Sequence, residues 1–180
     1  MLRMLEKLLS FTALPNLHPA VVHFPIALLT VAVAFDAACL VLRRQAWLDR
    51  CAAALYALGA LGAWAAYLAG DEAAEGLGIV PAAVGRLIDE HEEWALRTLI
   101  TFAIVAAARL LITWRERHQG EIGWVPARAA VWVAALVGMW MLVQTAEHGG
   151  ALVYRNGVAV SSAPAGAPAA AARPAAEPVN

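Results

Sequence analysis

The stretch AVVHFPIALLTVAVAFDAACLVL, residues 20–42, is long and apolar enough to cross a lipid bilayer as one helix. Crossing needs about 20 apolar residues, and three later stretches meet that length, at residues 51–70, 94–114 and 124–146. Inside lipid, a single segment can satisfy its backbone hydrogen bonds only as a helix. The sequence therefore predicts an all-α integral membrane protein, an antiparallel bundle of four helices.

The composition fits a membrane protein and argues against other classes. Of the 180 residues, 62% are hydrophobic and 15% are charged, whereas soluble domains have roughly 45–50% apolar and about 25% charged residues. The net charge is −1 and no basic block occurs, so nothing indicates nucleic-acid binding. The sequence has no glycine-rich phosphate loop, no haem-attachment CxxCH motif and no HExxH zinc motif. The lipid bilayer is the first partner that it predicts.

The segments on either side of the spans have a different character. Residues 1–17 are predicted to form a short interfacial helix, because their leucines fall near helical spacing, although a frayed terminus fits the same pattern. The four-span domain covers residues 18–160 and is predicted to end in a β-hairpin at 151–160, with its turn at Arg155, Asn156 and Gly157. Residues 161–180 are rich in Ala and Pro and are predicted to be disordered.

Charged residues near the span ends predict an orientation. The loops that join spans 1 to 2 and 3 to 4 hold six arginines, and the opposite side holds fewer basic residues together with a strongly acidic segment at 71–93. Since basic loops favour the cytoplasm, both termini and residues 71–93 are predicted to be periplasmic, in the inner membrane of a bacterial cell. Cys39 and Cys51 then lie near the cytoplasmic face, where no disulfide framework is implied.

Four histidines are predicted to lie at the periplasmic end of the bundle. His18 and His23 begin span 1, His91 precedes span 3 and His148 follows span 4. His18 and His23 are five residues apart, so they point about 140° apart on one regular helix. We expect His18 and Pro19 to mark the helix start and His23 to face inward. Interfacial histidines also serve as helix caps, but four at one end favour a shared ligand site.

Two charged residues are predicted to pair in the middle of the membrane. Asp36 in span 1 and Arg109 in span 3 lie at similar depth, and an isolated charge there costs roughly 2.5–3.5 kcal/mol. We therefore predict a structural Asp36–Arg109 ion pair. The alternatives are an Arg109 side chain that reaches the cytoplasmic surface, with Asp36 protonated or bonded to a backbone or hydroxyl group, and a proton-relay role. Arg97 lies near the histidines, where it either pairs with Glu93 or contacts an anionic group such as a haem propionate.

Several motifs together resemble one bacterial family, the predicted inner-membrane proteins called domain of unknown function 2231. They are LHPAVVHFPIALL at 17–29, Asp36, a small-residue second span ending in Gly70 and Asp71, and HGGALVY at 148–154. The resemblance covers about residues 14–160. It implies a compact four-helix membrane fold similar to two-haem b-type cytochrome bundles, with relatives joined to c-type cytochrome domains. His18, His23 and His148 match the family pattern, and His91 takes the place of its third-span histidine.

The leading hypothesis is a b-type haem protein with an electron-transfer role at the periplasmic face, rather than an enzyme. His23 with His91 or His148 is the predicted axial pair, with His18 as a further ligand or supporting donor and Arg97 near a propionate. A copper or zinc site built from the same four histidines with Glu147 or Glu90 is the alternative. A third reading is a non-catalytic accessory subunit. A separate c-type cytochrome, a homo-oligomer or a larger membrane complex are the partners that these readings imply.

Overall fold

A computed structural model of the chain describes residues 17–42, 45–119 and 125–158. Within these ranges the chain forms one short and four long helices: α1 (His18–Val21), α2 (His23–Val41), α3 (Ala46–Glu75), α4 (Ala82–Gln119) and α5 (Val125–Tyr154). Helices α1 and α2 together make the first span, and each of the other three is also long and apolar enough to cross a membrane. The all-α membrane bundle predicted from the sequence is confirmed.

The first span is divided at Val22, three residues before Pro25. Pro25 has no N–H group to donate to the carbonyl of Val21, so the helical hydrogen-bond ladder is interrupted at this turn. The Val22 N–H still donates to His18 O at 3.1 Å, and the chain continues in nearly the same direction as α2.

The four spans pack as two hairpins around a small apolar core. Helix α2 packs along α3 and α4 along α5, and the two hairpins meet through α3 with α4 and α2 with α5. Glycines allow this close approach, since a Cβ on Gly59 would lie 2.5 Å from Leu29 Cδ2 and one on Gly138 would lie 2.9 Å from Phe102 Cζ. Because lipid is as apolar as leucine, such small-residue packing is what holds membrane helices together.

The helices differ from the predicted spans mainly in length. Helix α4 starts at Ala82, twelve residues before the predicted span, because a search for apolar runs finds only the part of a helix that lies in lipid. Residues 1–16 and 159–180, with the predicted interfacial helix and the predicted disordered tail, lie outside the described residues.

The predicted hairpin at 151–160 is wrong for the residues that are described. Helix α5 continues to Tyr154, because adding a residue to an existing helix requires no new nucleus. The turn residues were correctly identified but act as a helix cap. Gly157 takes a left-handed φ of 64° and its N–H donates to Val153 O at 3.1 Å.

Candidate cofactor site at the histidine end

Two histidines from different hairpins meet at one end of the bundle. The rings of His18 on α1 and His91 on α4 have centroids 6.2 Å apart and lie perpendicular to each other. His148 on α5 lies near the same place, tilted beside Trp94 at 6.4 Å between centroids. We call this the histidine end, defined by His18, His91 and His148.

His18 and His91 are held by the same kind of hydrogen bond. His18 Nδ1 lies 2.9 Å from the carbonyl oxygen of Ala66, and His91 Nδ1 lies 2.9 Å from that of Thr145. A carbonyl only accepts, so each Nδ1 is the donor and carries the proton. In a neutral imidazole the lone pair is then on Nε2, the arrangement found in most metal-bound histidines.

A glycine packs against each of the two rings. A Cβ on Gly70 would lie 3.0 Å from His18 Cε1, and one on Gly149 would lie 3.0 Å from His91 Cε1. Each glycine comes four residues after the carbonyl that the same histidine uses, Ala66 and Thr145 respectively. The two hairpins therefore share one local arrangement. One helix supplies the histidine ring, and the neighbouring helix supplies the carbonyl that accepts its hydrogen bond and a glycine that leaves space beside it.

The prediction that His23 faces inward is wrong. Its side chain is exposed on the outside of the bundle, next to Phe24, which is 68% exposed. The angle of about 140° between residues five apart was applied correctly, but the inward direction was given to the deeper residue. Because His18 faces the bundle, His23 must face away from it.

His148 and Arg97 have other local partners. His148 Nδ1 lies 2.7 Å from Gln144 O on its own helix, and its Nε2 lies 3.8 Å from Glu90 Oε2. Arg97 pairs with Glu93 one turn away and lies over the Trp94 ring, 4.9 Å from its centroid. Of the two roles predicted for Arg97, the pairing with Glu93 is present, and a propionate contact remains a prediction.

The histidines at this end form a pair rather than a cage. Across the three described ranges, no group of three or more His, Cys, Asp or Glu residues is close enough to hold a metal ion by itself. Two histidine nitrogens suit a cofactor whose metal already has most of its ligands and needs only two from the protein.

A buried chain of charges occupies the opposite end. Arg109 Nε donates to Asp36 Oδ1 at 2.8 Å, so the predicted pair is present, and its Nη2 donates to Asp49 Oδ1 at 2.8 Å. Arg128 Nη1 lies 2.7 Å from Asp49 Oδ1, and its guanidinium also binds Glu116. We call this the charged end, defined by Asp36, Asp49, Arg109, Glu116 and Arg128. Its members come from all four spans.

The sequence did not point to Asp49, Glu116 or Arg128 as members of this cluster. They lie outside the predicted apolar runs or at their edges, where a charge needs no partner. Helices α3 and α4 continue past those runs and place Asp49 and Glu116 inside the bundle, and Arg128 lies in the first turn of α5, facing them. Acids and arginines within one helix turn of a span end are the signal that indicates such extensions.

Comparison with known proteins identifies one family. The model of a family described as "Predicted membrane protein (DUF2231)" matches residues 14–162. No curated protein and no solved structure matches the chain. The matched region contains every residue of the histidine end and of the charged end.

Proposed function

Since the chain belongs to the DUF2231 family of predicted membrane proteins, we propose that it binds a b-type haem through His18 and His91. The observation that carries the proposal is the pairing of these rings, each with its Nδ1–H bonded to a backbone carbonyl. His18 takes the place first assigned to His23, because His23 faces away from the bundle.

The separation of the two rings suits a shared iron atom. Two imidazoles that shared one ion would have ring centroids about 6 Å apart, since a nitrogen ligand binds a metal at ~2.0 Å. The centroids of His18 and His91 are 6.2 Å apart. Haem iron takes four nitrogens from its macrocycle, so two protein ligands complete it, and ligation by two histidines supports one-electron transfer.

The protein's own contribution is to orient the ligand atoms. The Nδ1–H bonds to Ala66 and Thr145 fix the tautomer and the ring plane, and they increase the basicity of Nε2. Gly70 and Gly149 leave just enough space for the rings, which limits their rotation. Both effects are present before any cofactor binds.

Electron transfer requires a second redox protein, and the surface at this end favours a basic one. Seven acidic residues and one arginine lie between positions 71 and 93. Opposite charges on two proteins speed their encounter. We place this end at the periplasmic face of the inner membrane, with a c-type cytochrome as the proposed partner.

Copper is the second candidate, because imidazole binds it well and the same two rings supply the ligands. Zinc fits less well, since its structural sites use four protein ligands and only a pair is close here.

The visible spectrum of the purified protein in detergent tests the proposal. We expect a reduced-minus-oxidised spectrum with the α band of a b-type cytochrome, and its loss in His91→Ala. Extraction with pyridine identifies the haem, and elemental analysis counts iron, copper and zinc. A colourless protein that retains copper would show that copper, not haem, is the ligand. A protein that retains neither haem nor copper, after haem is supplied during expression, would favour an accessory subunit.

A further inference from the structure

The charged end has one more negative than positive group. Three carboxyl groups, of Asp36, Asp49 and Glu116, are joined through the two guanidinium groups of Arg109 and Arg128. With all five groups ionised, the chain of contacts carries a charge of −1. An uncompensated charge in the interior of a membrane protein is costly, so a proton or another cation is expected among these groups.

The three carboxyl groups are not equally well paired. Asp49 accepts from both arginines, and Glu116 receives hydrogen bonds from Arg128 on both of its oxygens. Asp36 is bonded to Arg109 through Oδ1 alone. Its Oδ2 is buried and has no hydrogen-bond partner among the described residues. A bare, buried carboxylate oxygen costs far more than a protonated one.

A second buried polar atom without a partner lies beside Asp36. The hydroxyl group of Tyr56 is also buried and also has no hydrogen-bond partner among the described residues. Tyr56 on α3 is a neighbour of the Asp36 carboxyl and is fully enclosed, with its ring stacked on Phe102 at 6.5 Å. The Tyr56 hydroxyl can donate a hydrogen bond to the Asp36 carboxylate or accept one from the protonated carboxyl, directly or through a water. Only the second arrangement makes the summed charge of the five linked groups zero.

A cavity lies at the charged end, on the far side of Arg109 from Asp36. Its volume is about 720 Å³, and its lining includes Cys39, Asp49, Thr113 and Arg128. Arg109 binds two of these residues, Asp49 through Nη2 and Thr113 through Nη1, and it binds Asp36 through Nε. A single guanidinium group therefore separates the cavity lining from Asp36. Beyond Tyr56, towards the histidine end, the core is apolar.

We propose that Asp36 Oδ2 is a proton-binding site buried among the four spans, filled and emptied through the cavity at the charged end. The proton makes the summed charge of the five linked side chains zero. The Tyr56 hydroxyl accepts a hydrogen bond from the protonated carboxyl, directly or through a water. The proton leaves Oδ2 for a water molecule, which leaves a carboxylate and a hydronium ion, and returns by the same route. Nothing in this assignment requires a cofactor at the histidine end.

The charged and titratable groups that face Asp36 come from each helix packed around it. They are Cys39 on its own helix, Asp49 and Tyr56 on α3, Arg109 and Glu116 on α4, and Arg128 on α5. Arg50, Arg117 and His118 line the cavity with exposed side chains. Water and salt screen the charges of these three side chains more than those of the buried Asp36 and Arg109.

Infrared spectroscopy of the full chain in lipid nanodiscs tests the proposal directly. At pH 7 we expect the C=O absorption of a protonated carboxylic acid, shifted by ¹³C-aspartate labelling, because exposed Asp and Glu are ionised at this pH. The band should disappear in Asp36→Asn and persist in Asp71→Asn, which changes an exposed aspartate. A wild-type protein without the band, or a band that survives Asp36→Asn, would overturn the proposal.

Two further variants keep the test decisive if Asp36→Asn does not fold. Asp49→Asn removes one negative charge, so the charged end is neutral when Asp36 is ionised. We therefore expect the acid band to vanish although Asp36 is intact. Tyr56→Phe should keep the band at a shifted frequency, since only the hydrogen bond is lost. In D₂O the wild-type band should shift within minutes. A band that persists in Asp49→Asn contradicts the charge count, and one that does not exchange contradicts the access route.

Discussion

The two ends of this bundle use polar groups in different ways. At the histidine end, His18 and His91 bond to backbone carbonyls, and glycines lie beside their rings. At the charged end, side chains bond to side chains in a buried chain that ties together all four spans. Removing a ring from the first leaves one neutral carbonyl without its donor, whereas removing a charge from the second leaves charged partners unpaired. The comparison predicts that substitutions at the charged end cost more stability than substitutions at the histidine end.

The largest effect is expected from Arg109→Gln. The change leaves Asp36 and Asp49 without their shared guanidinium, and breaking a buried ion pair costs about 3–5 kcal/mol. We expect a matching fall in the free energy of unfolding, measured by reversible denaturation in mixed micelles.

Arg97→Gln is the matched control for that measurement. Arg97 and Glu93 are 46% and 61% exposed, and a surface pair of this kind contributes about 0–1 kcal/mol. If the two arginine variants lose the same stability, the charged end does not hold the spans together in the way described.

The second prediction concerns Gly149→Val at the histidine end. A Cβ at this position already lies 3.0 Å from His91 Cε1, so a branched side chain must displace the ring. We expect at least a tenfold fall in haem retention, with a smaller change in stability than Arg109→Gln produces. The haem-to-protein absorbance ratio after purification reports the first quantity.

Gly85→Val on α4 is the control, because a Cβ there meets its nearest neighbour at 3.9 Å, an ordinary contact. Its haem content should equal that of the unchanged protein. Equal retention by Gly149→Val would show that the space beside His91 does not position its ring.

The smallest effect is expected from Thr145→Val. His91 bonds to the carbonyl of Thr145, not to its hydroxyl, so the acceptor remains after the substitution. The hydroxyl groups of Thr145 and Thr98 lie 3.1 Å apart, and losing one such bond costs about 1 kcal/mol. Haem content should be unchanged in the absorbance assay. A large loss would mean that the hydroxyl, rather than the backbone, controls the ring.

The sequence predicted what depends on composition and depth. Four apolar runs predicted four spans, and the similar depth of Asp36 and Arg109 predicted their pair. Both follow from the high cost of polar groups in lipid, which acts on each residue independently of its neighbours.

The sequence did not predict what depends on the direction of a side chain. Whether His18 or His23 faces the bundle is set by the rotation of the first span, which follows from packing at Gly59 and Gly62 against Leu29 and Pro25. Asp49 escaped notice because its helix extends beyond the apolar run, and Arg128 because a charge at the edge of a span was taken to need no partner. The four-residue spacing of Ala66 to Gly70 and of Thr145 to Gly149 is present in the sequence. Its role depends on where the two histidine rings lie, which the sequence does not indicate.

The most direct test of the proposed function compares His18→Ala with His23→Ala. Both variants remove one imidazole from the same short stretch, but only His18 faces His91. Reduced-minus-oxidised visible spectra of the two purified proteins should show that His18→Ala loses the b-type α band and His23→Ala keeps it at full intensity. A band that survives in His18→Ala and disappears in His23→Ala would contradict the ligand assignment.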